Sequence, residues 1–339
     1  MNVVVCERPG VLALDERASP IRAPGEVLVR IRRVGMCGTD YHIFRGTQPY
    51  LSYPRIMGHE LSGEIVEADA ESGFRPGQTV CIMPYLSCGK CRPCLRGKTN
   101  CCRYLEVLGV HRDGGLAEFV SLAERFVIDA SGLSLDQAAM VEFLAIGHHA
   151  VSRAEAGRDN RVLVVGAGPI GMAVTLFASR TGADVTVIDG NAGRAQFCVD
   201  ALGAARTITP EESTAARVET LTSGDGFEVV FDATGNPKAM EAGFAYVAHG
   251  GTYVLVSIVS ADITFSDPEF HKRETRLLAS RNATTRDFEA VIEAIRLGQV
   301  PTEKLHTHAA SLEDLPGVVE SWSAPSSGII KGIIELNGA

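Results

Sequence analysis

From Arg161 the chain reads RVLVVG, then AGPIG, then MAVTLFA: a continuous apolar run, a glycine-rich turn and an apolar segment of helical length. A run that is apolar at every position, rather than at alternate ones, predicts a strand buried on both faces, as in a parallel sheet. DVTVID, ending at Asp189, predicts a second such strand. FEVVF (227–231) and TYVLVSI (252–258) predict two more, with a helical stretch over 237–247 between them. Strands alternating with helices predict an α/β fold built on a doubly wound parallel sheet. Further on, the pattern predicts a helix over 286–297 and a final apolar strand in GIIKGIIEL (328–336). The most hydrophobic stretch, 162–178, is broken by glycines and a proline, so no membrane span is expected. No internal repeat or low-complexity segment is visible.

Composition narrows the classes. A chain of 339 residues is too long for one ordinary core, which predicts two domains. Hydrophobic content of 45% with 22% charged residues describes a soluble globular protein. A net charge of -9 argues against nucleic acid or an anionic membrane as partner. MNVVVCERPG has no basic segment leading into a long apolar one, so a cytoplasmic protein is expected. Thiols stay reduced there, and clustered ones more often bind metal than pair as disulfides.

Three groups of residues carry chemistry. In CGKCRPCLRGKTNCC, Cys88, Cys91 and Cys94 recur every third residue and Cys102 follows eight later, with Cys101 as a spare thiol. Four thiolates would close a tetrahedral zinc shell and leave no place for substrate, which makes this a structural site. Upstream, Cys37, His59 and Glu60 offer a thiolate, an imidazole and a carboxylate, the three-ligand set of a zinc with an open position. Asp40 is either a partner for the free ring N–H of His59 or an ordinary turn aspartate. In the third group, Gly166, Gly168 and Gly171, with Pro169 and Ile170 between the last two, form G-x-G-x-x-G between strand and helix. That turn aims backbone N–H groups at a dinucleotide pyrophosphate, and Asp189 would accept ribose hydroxyls and repel a 2′-phosphate, favouring NAD over NADP.

Cys-Gly-Thr-Asp at 37–40, Gly-His-Glu at 58–60, the cysteine loop and the glycine motif together resemble the zinc-dependent medium-chain dehydrogenases, over nearly the whole chain. The resemblance implies a GroES-like β-barrel catalytic domain (1–145 and 281–339) interrupted by a Rossmann domain (146–280). It implies one catalytic and one structural Zn²⁺ per chain, and NAD as cofactor. It places Glu142 near the catalytic metal, although Phe143 stands where the family usually has proline. Thr39 and His42 would relay a proton, Arg194 would lie near the adenine, and Thr234, Gly235 and Val256 beside the nicotinamide. Arg281 and Asn282 fall where an arginine of the sorbitol-type enzymes reaches the substrate, and His271 and Lys272 are either further contacts or simply exposed charges. GTQPYLSYPR, VLGVHRDGG and SDPEFHKRETRLLASRNAT resemble bacterial sugar-acid dehydrogenases, including L-galactonate and L-gulonate 5-dehydrogenases and starvation-sensing relatives. The implied reaction is oxidation of a secondary hydroxyl of a hexonate. A neutral polyol or threonine dehydrogenase, and a non-catalytic NAD-sensing relative, are the alternatives. A homodimer or homotetramer, paired through TYVLVSI as sheet edge, is expected.

Overall fold

The computed structural model describes residues 1–48, 51–324 and 327–336, so Pro49 and Tyr50 of GTQPYLSYPR lie outside the described residues. The chain divides into two compact units: Met1–Glu142 with Thr284–Ala339, and Phe143–Ala283.

The first unit is organised by the long strand Glu26–Met36. Along its first half burial alternates, with Val27, Val29 and Ile31 turned inward, as the two-residue period of a strand requires. Its first residues pair with Phe119–Ala123 and its last with Lys331–Glu335, while Glu60–Glu67 runs along its other side. These belong to a seven-stranded sheet that also holds Thr79–Ile82, Val127–Asp129 and His306–Ser311. The C-terminal strand therefore lies beside the residues that lead into Cys37.

The second unit holds a six-stranded, wholly parallel sheet in the order Arg206–Ile208, Asp184–Ile188, Arg161–Val165, Phe227–Asp232, Val247–Leu255, Arg276–Ala279. The chain winds outward from Arg161–Val165 in both directions, so the crevice where a parallel sheet binds its ligand opens beyond the carboxyl ends of that strand and Phe227–Asp232. Leu163, Val165, Phe227, Val230 and Tyr253 pack its core. Two expectations are corrected. TYVLVSI is not the edge: Val247–Leu255 is flanked on both sides, and the outermost strand is Arg276–Ala279, which its shorter and more polar sequence did not announce. The helix after FEVVFDATG stops at Gly243, because Phe244–Tyr246 tightens into a 3-10 turn and Val247 already belongs to the next strand.

Candidate active site

Cys37 is the N-cap of the helix Gly38–Arg45. Asp40, at the third helical position, accepts the backbone N–H of Cys37 at 3.0 Å through Oδ2 and that of Gly58 at 3.2 Å through Oδ1. One fully buried carboxylate thus ties the Cys-Gly-Thr-Asp turn to the segment carrying His59 and Glu60. Asp40 Oδ1 lies 3.7 Å from His59 Nδ1, beyond hydrogen-bond reach. Of the two readings of Asp40, its hydrogen bonds are those of the turn aspartate, and toward the His59 ring it makes a charge contact only. Thr39 and His42 sit three residues apart on the same helix, Thr39 half-buried and His42 exposed with Nδ1 2.8 Å from Thr47 Oγ1.

The side chains of Cys37, His59 and Glu60 converge, with one donor atom from each lying within 4.8 Å of the others. Zinc bonds of about 2.0–2.3 Å in a tetrahedron put donors roughly 3.3–3.8 Å apart, so modest adjustment brings this set onto one ion. His59 Nδ1 is buried with no hydrogen-bond partner. Burial works against a charged His59 ring, but the charges of Asp40 and Cys37 outweigh it and hold the pKa well above the ordinary histidine range. A half-buried thiolate crowded against a buried imidazole and carboxylate fits a divalent cation.

Glu142 opens the helix Val141–Ala154 and is 3% exposed. Tyr85, equally buried, donates its hydroxyl to Glu142 Oε1, while Oε2 has no partner among the described residues. Burial pushes the pKa of this carboxyl up to about 7, against the opposing pull of His59. Tyr85→Phe would leave neither oxygen partnered, and kcat/KM is expected to fall about 10- to 100-fold with the cysteine-loop metal retained, as read by steady-state kinetics and metal analysis.

Sequence reasoning missed Tyr85 and Lys331. Lys331 is 1% exposed and places Nζ 2.6 Å from both oxygens of Glu60. Its signal was a charge at the centre of the apolar run GIIKGII; Tyr85, in MPYLSCG, had none. The hydroxyl of Tyr41, on the helix that starts after Cys37, is buried without a partner.

The sulfurs of Cys88, Cys91, Cys94 and Cys102 also converge within 4.8 Å. Cys91 Sγ lies 3.4 Å from that of Cys94 and 3.8 Å from that of Cys102. Both distances are too long for a disulfide of about 2.05 Å and close to the roughly 3.8 Å edge of a zinc-thiolate tetrahedron. Backbone amides point at the sulfurs, from Cys88 and Tyr104 to Cys102 Sγ and from Cys91 to Cys88 Sγ. Hydrogen bonds from the backbone of Cys94 and Arg103 draw the Cys91 thiol down to about 6, whereas burial and its sulfur neighbours push Cys94 up to about 12. Four thiolates cannot share this space without a cation. Cys101 is exposed and outside the cluster, which leaves Cys102 as the fourth member.

In the second unit, Gly168 caps the helix Pro169–Arg180, with Pro169 and Ile170 in its first turn. A Cβ on Gly171 would lie 1.8 Å from the carbonyl oxygen of Gly166, so only glycine lets the helix start this close to the strand. Asp189 accepts the Ala167 N–H at 2.5 Å and the Asn191 N–H at 2.7 Å, joining the end of Asp184–Ile188 to the glycine turn. Arg194 is half-buried on the helix Ala192–Leu202. Thr234 donates from both N and Oγ1 to Asp232 Oδ1, Gly235 adopts φ 61°, and Val256 N–H donates to Asp232 O at 2.9 Å. These three residues are gathered at the carboxyl end of Phe227–Asp232, on the crevice. Arg281 and Asn282 follow the outermost strand; Arg281 is exposed, and Asn282 is half-buried with φ 53° and Nδ2 unpartnered. His271 and Lys272 are exposed at the end of the helix Asp267–Lys272.

A thiolate-imidazole-carboxylate centre in one unit and a dinucleotide crevice in the other are the equipment of a metal-dependent dehydrogenase. Comparison with known proteins agrees. Residues 23–132 match the alcohol dehydrogenase GroES-like domain and residues 169–296 match the zinc-binding dehydrogenase family. The chain is 38% identical to L-galactonate-5-dehydrogenase of Escherichia coli K12, over 98% of each chain. It is 30% identical to 2-dehydro-3-deoxy-L-galactonate 5-dehydrogenase of Pseudoalteromonas atlantica, over 92% of each. The solved structure of the alcohol dehydrogenase RspB of Escherichia coli CFT073, complexed with NADH, superposes with a TM-score of 0.92 at 27% identity, over 99% of each chain. The chain belongs to the zinc-dependent medium-chain dehydrogenases.

Proposed function

We propose that the protein oxidises a secondary hydroxyl of a hexonate, such as L-galactonate or L-gulonate, to a keto acid with NAD⁺. The observation that carries the chemistry is the convergence of Cys37, His59 and Glu60 within 4.8 Å. The 38% identity to L-galactonate-5-dehydrogenase over 98% of each chain supports the substrate class. Cys37, His59 and Glu60 would hold the catalytic zinc, and Cys88, Cys91, Cys94 and Cys102 the structural one. When bound, zinc supplies Lewis acidity toward a substrate hydroxyl and NAD⁺ supplies a hydride acceptor.

The chain's own residues do the rest. Glu142, fixed through one oxygen by Tyr85, keeps the other free for a water or substrate proton. Thr39 would pass the hydroxyl proton on, and exposed His42 would release it to solvent. Backbone N–H groups at Gly168–Gly171 would take the pyrophosphate. Each oxygen of Asp189 that accepts an amide retains a lone pair for a ribose hydroxyl. Arg194 would flank the adenine, and Thr234, Gly235 and Val256 the nicotinamide. Arg281 and Asn282 are the candidates for the substrate's acid group, because a guanidinium presents paired donors to a carboxylate.

No helix among the described residues is long and apolar enough to cross a membrane. The nine free thiols suit the reducing cytoplasm, and a homodimer or homotetramer is the expected assembly. The substrate reading is tested by NAD⁺ reduction on hexonates and matched neutral polyols, with and without chelator. Chelator-sensitive turnover on hexonates is expected. Turnover confined to polyols would move the assignment to a polyol dehydrogenase.

A further inference from the structure

We propose that Lys331 is a positioning residue of the open metal centre, limiting how strongly Glu60 can bond a metal. The inference rests on the reading of Cys37, His59 and Glu60 as metal donors.

Both oxygens of Glu60 lie 2.6 Å from Lys331 Nζ, which also donates to the carbonyl of Met36 at 3.3 Å. Glu60 is 0% exposed and Lys331 1%. Three strands build this contact. Gly332 pairs with Met36, and Gly35 pairs with both Ile333 and Glu60. A Cβ on Gly35 would stand 2.1 Å from Glu60 Oε2, so the glycine clears the space the carboxylate occupies. The lysine is thus directed at a metal donor, on the residue directly before Gly332 in the strand that flanks the approach to Cys37.

A metal and an ammonium must then share one carboxylate. To bond a metal, Glu60 has to turn at least one oxygen away from Nζ, and while the lysine keeps the other, bonding through both is opposed. Charge points the same way. The Cys37 thiolate and the Asp40 and Glu60 carboxylates, with Glu142 beside them, together exceed the charge of one divalent cation, and the Lys331 ammonium offsets part of that excess. Without the lysine, the buried Glu60 charge has only the metal to satisfy it. Metal retention should rise, and the metal's capacity to polarise a substrate hydroxyl should fall.

The test uses the full-length enzyme with Lys331→Met and Lys331→Arg. Zinc equivalents per chain, the rate of zinc loss from the open centre to a chelator, the zinc-dependent rise in Tm, and kcat are measured. Lys331→Met is expected to keep two zincs, to release the open-centre zinc at least about tenfold more slowly, to show a larger zinc-dependent rise in Tm, and to lose about tenfold or more in kcat. Lys331→Arg is expected to restore wild-type behaviour. A lysine that served only to hold the fold would give the opposite sign, and zinc loss as fast as or faster than wild type overturns the proposal. Should Lys331→Met not fold, Lys331→Gln keeps the side chain polar without the charge and is expected to slow zinc loss in the same direction. Wild-type enzyme holding one zinc equivalent would overturn the donor reading itself. Two equivalents with unaltered release in the variants would overturn this inference alone.

Discussion

Cys37→Ala is expected to lower kcat/KM by about 10⁴-fold, roughly 5 kcal/mol of transition-state stabilisation, and to reduce zinc from two equivalents per chain to one. The fold should persist, because alanine removes only the thiol's half of the capping box and leaves both hydrogen bonds of Asp40 in place. Asp40 Oδ2 accepts the backbone N–H of residue 37, which alanine retains, and Oδ1 still holds Gly58. The side chain of Cys37 is only half-buried, so its truncation opens no cavity in the core. The Cys88, Cys91, Cys94 and Cys102 cluster stands on a separate loop and should keep its ion. Steady-state kinetics beside metal analysis and a melting curve check all three expectations. An active variant with two zincs would remove Cys37 from the chemistry.

What could be read from the sequence was what short spacing encodes. Cys88, Cys91 and Cys94 are so close along the chain that any loop joining them brings the sulfurs together, and RVLVVGAGPIG carries its strand, turn and helix in consecutive residues. Even the sheet's winding followed from alternating elements. The failures came where distant segments meet. TYVLVSI looked like an edge because Arg276–Ala279, the strand that covers it, is short and carries an exposed arginine and leucine. Asp40 was considered as a partner for His59, but two amides, one of them 18 positions away, hold its carboxylate 3.7 Å from the ring, and that placement is a tertiary fact. Lys331 lies 271 positions from Glu60, and only sheet register puts an ammonium beside that carboxylate. A lysine in an apolar strand is a local conflict, and such conflicts tend to mark functional sites.

Gly171→Ala is expected to injure the other half of the molecule while sparing both metals. An added Cβ would stand 1.8 Å from the carbonyl oxygen of Gly166 and 2.8 Å from its carbonyl carbon, and both are backbone atoms with no rotamer to yield. The neighbouring positions offer no relief. Gly166 is itself packed against the backbone of Ala233, and its N–H is bonded to Ile188 O at 2.8 Å. The helix Pro169–Arg180 must therefore withdraw from the strand, although residues 171–178 along it are all buried. Overpacking of this kind costs about 1–3 kcal/mol of stability. The loss in cofactor affinity should be larger, because the amides at Gly168–Gly171 would meet a pyrophosphate only while the turn stays tight. A rise in the NAD⁺ dissociation constant of about 100-fold or more is expected by calorimetry, roughly 3 kcal/mol, with two zincs still present per chain. Cys37→Ala removes one zinc and should leave NAD⁺ affinity nearly unchanged; Gly171→Ala does the reverse. A dehydrogenase that brings its hydroxyl-activating metal and its hydride acceptor from separate units predicts this double separation, whereas a non-catalytic NAD-sensing relative has no reason to lose a second zinc when Cys37 is cut away.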